Sequence, residues 1–441
     1  MVKNLKFYLS LVLARAVYIG IKLLSKSAGT SLAGKLVLKF HPTFLSDCAG
    51  FINEHIITTS GTNGKTTTSG LIAHIIEESN NTVVHNTKGA NMLTGVANMF
   101  ALSLGINKTF DYAVIESDEA YLNKLYDYVV ADTLVVTNLF RDQLDRYGEL
   151  ATTASFIQKA IDKNKNLKLI LNADDPLVSN FASGRDDVVF YGFEDVKYDY
   201  EIEQSNAPTE VFNCVCGKVL NYSKRFFAQQ GHYSCDCGYK RPDCKYKSSV
   251  VVSHNYSIIS VAGVDYTTHL VGLYNAYNVL AAIVTALEEN ISPDTIQKAL
   301  DSYKSIFGRT ETCVINGHNT LIQLIKNPTG ASEVLKTVDL NSNIIVAIND
   351  NFADGRDISW LWDSDFEQLK NARKKVITSG IRAKDMATRL KYAGVPQEKI
   401  QIVPSIKKAI EIATEDSDKT IPVTILPSYT ALLNISKEKF E

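Results

Sequence analysis

Apolar runs alternate with amphipathic segments over two long stretches of the chain. The first stretch, residues 55–192, predicts strands at 56–59, 82–85, 112–116, 133–138, 167–172 and 188–191. The second begins near residue 316 and predicts strands at 320–326, 343–348, 375–378, 400–403 and 422–426. Helical segments lie between these strands, which is typical of mostly parallel sheets covered on both faces. We therefore expect an α/β protein whose ligands bind beyond the carboxyl ends of its strands.

The region between the two stretches has a different pattern. Residues 203–247 are rich in cysteine, glycine and aromatic side chains, and they predict an inserted ribbon rather than part of the sheet. A strand pattern resumes at 250–260, and it is followed by an alanine-rich helix predicted at 275–289.

The N-terminal segment is apolar and basic. Its longest uncharged apolar run, residues 7–14, is much shorter than the about 20 residues that a membrane-spanning helix needs. The run is not followed by the small-residue cleavage site that is typical of a signal peptide. We expect amphipathic helices in a cytoplasmic protein. They either pack on the first α/β unit or lie on the inner face of an anionic membrane. The basic residues are Lys3, Lys6, Arg15, Lys22, Lys26, Lys35 and Lys39.

Composition narrows the class of protein. A chain of 441 residues is too long for one ordinary core and suggests two or three domains. The formal net charge of −2 gives no indication of a nucleic-acid surface. Five of the seven cysteines lie within residues 214–244, and without an export signal this clustering favours metal binding over disulfides.

A glycine loop follows the strand predicted at 56–59 and opens a helix. In the sequence Ser60-Gly61-Thr62-Asn63-Gly64-Lys65-Thr66-Thr67, the glycines allow backbone N–H groups to turn toward phosphates. Lys65 is placed to reach the outer phosphates, and the Thr66 hydroxyl is placed to hold Mg²⁺ at the positive end of the helix. The pattern predicts ATP binding, and the alternative is a simple glycine turn before a helix.

The loop departs from the general phosphate-loop pattern because Thr59 stands where the first glycine is expected. In this form it resembles the ATP loop of the Mur ligases and folylpolyglutamate synthases, which activate a carboxylate as an acyl phosphate for attack by an amine. The resemblance implies ATP and Mg²⁺ as cofactors and a catalytic role for Lys65. The ATP-binding residues that it implies in the loop are Gly61, Thr62, Asn63, Gly64, Lys65, Thr66 and Thr67.

Glu116 ends the strand predicted at 112–116 and is a natural Mg²⁺ ligand beside the glycine loop. The alternative is a solvated turn residue, and Asp118 and Glu119 are weaker candidates for the metal. Most members of the Mur-ligase family that this chain resembles carry histidine at the position of Gln143. Glutamine does not titrate and is a poorer metal ligand than histidine. The sequence therefore leaves open whether the chain has a second Mg²⁺ site.

Further residues match the Mur-ligase pattern. Asn275 and Asn278 lie at the start of the alanine-rich helix, and the resemblance implies that they contact the adenine base, with helix capping as the alternative. Arg309 lies in the Gly-Arg pair at which the family joins its central and C-terminal domains, and it is placed to reach phosphate.

Two Cys-x-Cys pairs about 20 residues apart predict a structural Zn²⁺ site. Four thiolates suit tetrahedral zinc and leave no open position for catalysis. His232 or Cys244 is an alternative to one of these ligands, and reduced cysteines without a metal are the simpler alternative. The proposed ligands are Cys214, Cys216, Cys235 and Cys237.

A Mur-type ATPase that contains an inserted zinc ribbon resembles the MurT family, which comprises the synthetase subunits of lipid II isoglutaminyl synthase. Residues 326–330, 349–363 and 379–382 also resemble the C-terminal domain of that family. The resemblance implies a Mur-ligase-type ATP-binding domain at 46–312, with a zinc ribbon inserted at about 205–247, after an N-terminal segment at 1–45. It also implies a Rossmann-like α/β domain at 313–441 that contacts a glutaminase partner.

The activity implied by the family is ATP-dependent amidation of the D-isoglutamate α-carboxylate in the lipid II stem peptide. Neither Cys48 nor Cys313 has the context of a glutaminase nucleophile, so ammonia must come from elsewhere. In the family it comes from a GatD-type glutaminase subunit, whose triad is completed by an aspartate of the synthetase. The motif places that aspartate at Asp357, with Asp350 and Asp354 as rivals.

Two other functions fit parts of the pattern. A ligase that adds a whole amino acid, as folylpolyglutamate synthase does, shares the ATP loop, but such enzymes lack a zinc ribbon and usually have histidine at the position of Gln143. A catalytically inactive ATP-binding scaffold would use the ribbon to recruit partners.

Overall fold

The computed structural model describes residues 5–24, 31–87, 90–105, 108–141, 150–200, 211, 213–304, 309–415 and 418–436. Its strands are β1 (Ile56–Ser60), β2 (Val83–His85), β3 (Tyr112–Glu116), β4 (Thr133–Val136), β5 (Lys168–Asn172), β6 (Val188–Tyr198), β7 (Asn221–Phe227), β8 (Gln230–Ser234), β9 (Tyr246–Val252), β10 (Ser257–Val261), β11 (Val264–Thr268), β12 (Arg309–Ile315), β13 (His318–Gln323), β14 (Asn343–Ala347), β15 (Val376–Ser379), β16 (Ile400–Ile402) and β17 (Val423–Pro427).

The α-helices among these residues are α1 (Leu5–Leu24), α2 (Leu32–Phe40), α3 (Phe44–Ala49), α4 (Lys65–Glu78), α5 (Leu93–Ser103), α6 (Glu119–Leu125), α7 (Leu150–Ile161), α8 (Pro176–Ser179), α9 (Leu273–Glu288), α10 (Pro293–Ser302), α11 (Pro328–Leu335), α12 (Ala383–Tyr392), α13 (Ile406–Ala413) and α14 (Tyr429–Ile435). None of the helices described is both long enough and apolar enough to span a membrane. The helices α8, α10 and α11 begin with proline, and Asp175, Ser292 and Asn327 cap them through side-chain oxygens.

The first sheet has nine strands in the order β11-β10-β9-β6-β5-β4-β1-β3-β2. All neighbours from β9 to β2 are parallel, whereas β9, β10 and β11 are antiparallel. The strands β1, β3 and β4 are buried along their whole length, as is typical of central strands in a parallel sheet covered on both faces. Separate apolar cores fill the two faces of this sheet.

The second sheet has six strands in the order β12-β13-β17-β14-β15-β16, and only β12 and β13 pair antiparallel. Together the two sheets confirm the expected mostly parallel α/β fold. The strand pattern at 250–260 corresponds to two strands, because a turn closed by the Ser253 N–H and the Tyr256 carbonyl (2.9 Å) separates β9 from β10.

The inserted region forms its own antiparallel pair, β7 and β8, outside both larger sheets. Its predicted C-terminal limit is too late, since Tyr246 and Lys247 already belong to β9 in the first sheet.

Near the N-terminus, α1 packs one face on the first α/β unit. The Phe7 ring lies 5.3 Å from Phe44 and 4.9 Å from Phe51, measured between centroids.

Candidate active site

The glycine loop connects β1 to α4 at the carboxyl edge of the first sheet. Gly61 and Gly64 have φ values of +122° and +83°, which favour glycine. A Cβ at Gly64 would lie 1.9 Å from the Asn278 Oδ1, so side-chain packing also requires glycine there. The segment after β4 holds the loop: the Thr62 N–H donates to the Asn138 carbonyl and the Asn63 N–H to the Asn138 Oδ1, both at 2.9 Å.

Lys65 is turned back into the loop. Its ammonium donates to the carbonyls of Gly61 and Thr62, and it forms an ion pair with Glu119 at 3.1 Å. Burial raises the pKa of Glu119, and the charge of Lys65 opposes that effect. The ammonium therefore lies between the loop carbonyls and the Glu119 carboxylate. Glu119 was only a weak metal candidate in the sequence, and its position as first residue of α6 was the available signal.

Glu116 is buried at the end of β3, in the same cleft as Thr66. Its Oε1 accepts a hydrogen bond from Asn91 at 3.3 Å, and no described residue donates to Oε2. A buried carboxylate oxygen without a donor is costly unless a cation or water satisfies it. The donor set of a carboxylate and a hydroxyl therefore fits Mg²⁺. Asp118 instead caps α6 by accepting from the Ala120 N–H at 3.1 Å.

A second cleft opens on the other side of the loop. Asn275 and Asn278 line it and are both buried near the start of α9, where the Asn278 side chain lies against Gly64. The Asn278 amide donates to the Asn275 Oδ1 at 3.3 Å, and the Asn275 amide donates to the Val271 carbonyl at 2.8 Å. The rings of Phe140, Phe227 and Tyr277 form another part of the lining.

The C-terminal sheet completes both clefts. Lys326 lines both, and Thr329 and Gly330 line the second. Asn63 of the glycine loop accepts from the Asn327 amide at 2.9 Å, which is a direct contact between the two units. Arg141 and Asp363 form an ion pair between the same two units. Gln143 and the Arg309 side chain lie outside the described residues.

The four predicted zinc ligands meet at the base of the β7–β8 hairpin. Their sulfur atoms all lie within 4.8 Å of one another, with Cys214 to Cys237 and Cys216 to Cys235 at 3.6 Å. Tetrahedral zinc with Zn–S bonds of about 2.3 Å implies sulfur separations of about 3.8 Å, so these four residues fit the ion. His232 does not belong to the cluster, since its Nε2 contacts the Phe193 carbonyl at 2.8 Å, nor does Cys244.

Comparison with known proteins identifies the family. A model described as "Mur ligase middle domain" matches residues 59–286, and one described as "MurT ligase C-terminal" matches residues 324–432. A Streptococcus pneumoniae protein named "Lipid II isoglutaminyl synthase (glutamine-hydrolyzing) subunit MurT" is 35% identical over 438 residues, which cover 98% of this chain and 96% of that protein. The chain belongs to the MurT family.

A second member of the MurT family, from Staphylococcus aureus, is 36% identical over 408 residues, covering 92% of this chain and 91% of that protein. Among solved structures, a pseudomurein peptide ligase type C from Methanothermus fervidus has a TM-score of 0.66 at 22% identity, covering 91% of this chain and 84% of that chain. The structural likeness supports the Mur-ligase fold.

The part matched by the MurT C-terminal model contains the three candidate aspartates. Asp354 is buried and holds its own loop, accepting from the Thr430 N–H at 2.7 Å and from the Asn351 N–H at 3.1 Å. Asp350 lies 3.8 Å from the Arg382 guanidinium. Asp357 is exposed, and its hydrogen bonds from Ser359 lower the pKa of its carboxyl group. Of the three, Asp357 has the carboxylate most accessible to another protein.

Proposed function

We propose that this chain is the synthetase subunit of a lipid II isoglutaminyl synthase. It uses ATP to convert the α-carboxylate of D-isoglutamate in the lipid II stem peptide to the amide of D-isoglutamine. The observation that carries this proposal is one cleft that joins Lys65 and Glu116 to the loop before Asp357. The names of its full-length relatives favour the amidating reaction over other reactions of Mur-type ligases.

The proposed reaction has two steps. A carboxylate oxygen of the substrate attacks the γ-phosphorus of ATP, ADP leaves, and an acyl phosphate forms. Ammonia then attacks the carbonyl carbon, loses a proton, and phosphate leaves with one oxygen of the original carboxylate. Lys65 exchanges its contact with Glu119 for the outer phosphates, and backbone N–H groups of the loop bind phosphate oxygens.

Thr66 and Glu116 are the residues that would hold Mg²⁺, which neutralises phosphate charge when it is bound. Asn275 and Asn278 would contact the adenine base, and Arg309 would reach a phosphate. Cys214, Cys216, Cys235 and Cys237 would hold a structural Zn²⁺. We assign no catalytic step to the zinc.

We propose that ammonia comes from a GatD-type glutaminase subunit in a heterodimer. Six of the seven cysteines lack the surroundings of a nucleophile. Cys48 is fully buried, which raises the pKa of its thiol well above the usual value, and burial also raises the pKa of the Cys244 thiol to about 12. Four others form the sulfur cluster. The C-terminal unit has exposed apolar side chains near Asp357 in sequence, at Phe352 and Trp362. Asp357 would accept from the imidazole of the partner and stabilise its cation.

Phosphate release with lipid II and ammonium, in the absence of any amino acid, tests the proposed reaction. We expect ATP hydrolysis coupled to amide formation, because ammonia alone completes the second step. An amino-acid ligase would require an added amino acid, and an inactive scaffold would release no phosphate. Either of those two results would refute the proposed function.

We also propose that the protein works in the cytoplasm at the inner face of the membrane. The face of α1 opposite its packed face is apolar and exposed: Leu5 is 73%, Val12 63% and Ile19 57% exposed. Residues 1–46 contain seven Lys and Arg residues and no Asp or Glu. An apolar stripe with purely basic surroundings fits an anionic lipid surface, where each basic residue contributes about 1 kcal/mol.

Vesicle sedimentation tests this membrane contact. We expect the full chain to sediment with phosphatidylglycerol vesicles at low salt and to bind phosphatidylcholine vesicles much less. Leu9→Glu with Val12→Glu should weaken binding at least about tenfold, because two apolar side chains no longer enter the interface. Val130→Glu is the matched control, since Val130 is 72% exposed at a distant position between α6 and β4. Equal binding of the double variant and the control would contradict the proposal.

A further inference from the structure

The β7–β8 hairpin reaches from the cysteine cluster to the second cleft, which holds the proposed site of the nucleotide base and is called the nucleotide cleft below. The two Cys-x-Cys turns lie at its open end, before β7 and directly after β8. Phe227, the last residue of β7, lies at the opposite end and lines the cleft together with Asn275 and Asn278. One small element thus connects the sulfur cluster with the proposed base site.

Hydrogen bonds fix the closed end of the hairpin to the first sheet. The buried Gln229 amide donates to the Leu139 carbonyl at 2.7 Å. Leu139 directly follows Asn138, which holds the glycine loop. The Gly231 N–H donates to the Asp174 carbonyl at 3.0 Å. The position of the hairpin end is therefore coupled to the segment that holds the phosphate loop.

A buried ion pair adds a second attachment. The carboxylate of Asp174 is fully buried and accepts from the Arg241 Nε at 2.6 Å and from the Tyr277 hydroxyl at 2.8 Å. Arg241 follows the second Cys-x-Cys turn, and Tyr277 lines the nucleotide cleft. Arg241 is thus linked through the Asp174 carboxylate to Tyr277, a residue of the cleft lining.

Aromatic rings surround Phe227. Its centroid lies 5.8 Å from that of Phe140 and 5.7 Å from that of Tyr277. The preceding residue, Phe226, instead contacts the ring of His232 at 5.6 Å and does not line the cleft. Aromatic faces beside the amides of Asn275 and Asn278 suit a planar base with hydrogen-bonding edges.

We propose that Phe227 is a positioning residue for the nucleotide base and that the metal-bound cysteine cluster holds it in place. The inserted hairpin is then part of the nucleotide site as well as a stabilising element. This inference rests on the proposed ATP site, and it adds the base-contacting side chain and the role of the cluster.

Nucleotide binding measured by calorimetry tests the role of Phe227. With the full chain and an unhydrolysable ATP analogue, we expect Phe227→Leu to weaken binding about tenfold, because it keeps an apolar side chain but removes the ring. Phe227→Tyr should retain near-normal affinity. Phe226→Leu is the matched control on the same hairpin. Equal affinity of Phe227→Leu and Phe226→Leu would overturn the inference.

A double variant tests the role of the cluster. Cys216→Ser with Cys237→Ser changes the two exposed ligands, and we expect loss of bound zinc together with a weakened affinity for the analogue. Unchanged affinity after zinc is lost would overturn the supporting role of the cluster. Failure of the unaltered chain to bind the analogue is a different result, and it would refute the proposed ATP site itself.

Discussion

Lys65→Ala is expected to abolish amidation of lipid II even when ammonium replaces the glutaminase reaction. The substitution removes the positive charge that would meet the outer phosphates, so the carboxylate is no longer activated. The expected loss of rate is about two to three orders of magnitude, as for other fixed donors at a developing charge. The measurement is phosphate release and amide formation with saturating ammonium, ATP and lipid II.

Two controls separate chemistry from folding. Lys124→Ala changes an exposed lysine on α6, the helix that begins with Glu119, and it should leave the rate unchanged. Lys65→Ala with Glu119→Gln avoids leaving a buried carboxylate without its partner, and we expect it to be as inactive as the single variant but more stable to heat. Normal activity of Lys65→Ala with ammonium would refute the role of Lys65.

Asp357→Asn is expected to remove glutamine-dependent amidation while leaving ammonium-dependent amidation intact. Asparagine keeps the shape of the side chain but would not stabilise the imidazolium of the proposed glutaminase partner. A comparable change in a catalytic triad lowers the rate by about four orders of magnitude. Glutamine hydrolysis and amide formation are both measured in the heterodimer, with ATP and lipid II present.

The neighbouring aspartates are the matched controls for this change. Asp350→Asn should retain glutamine hydrolysis, because Asp350 lies beside the Arg382 guanidinium. Asp354→Asn should lower stability, because Asp354 accepts hydrogen bonds that tie its loop to Thr430 and Asn351. Unchanged glutamine hydrolysis by Asp357→Asn would exclude Asp357 as the triad aspartate, and loss in Asp350→Asn would move the assignment there.

The parts of the site that local sequence determines could be predicted well. An apolar strand followed by Gly61, Gly64 and Lys65 predicts β1, the loop and α4, because glycine is required where φ is positive. Strand β3 ends at Glu116 as predicted. The paired Cys-x-Cys spacing also predicted a cluster of four sulfur atoms, which the structure brings together.

Contacts between distant segments could not be predicted from local pattern. Asn63 and Asn327 are 264 positions apart, and their hydrogen bond depends on how the two sheets meet. The pairing of Lys65 with Glu119 depends on the neighbouring order of β1 and β3. In the sequence, Phe227 is only one more aromatic residue of the insertion. Its place in the cleft follows from the hydrogen bonds that Gln229 and Gly231 donate to Leu139 and Asp174.

Transfer of carboxylate oxygen to phosphate tests the central proposal most directly. Lipid II carrying oxygen-18 in the α-carboxylate of D-isoglutamate is incubated with ATP, glutamine and the chain in complex with the proposed glutaminase subunit. Formation of an acyl phosphate predicts that each amide formed releases one phosphate containing one labelled oxygen. Amide formation that releases only unlabelled phosphate would contradict activation of this carboxylate by ATP.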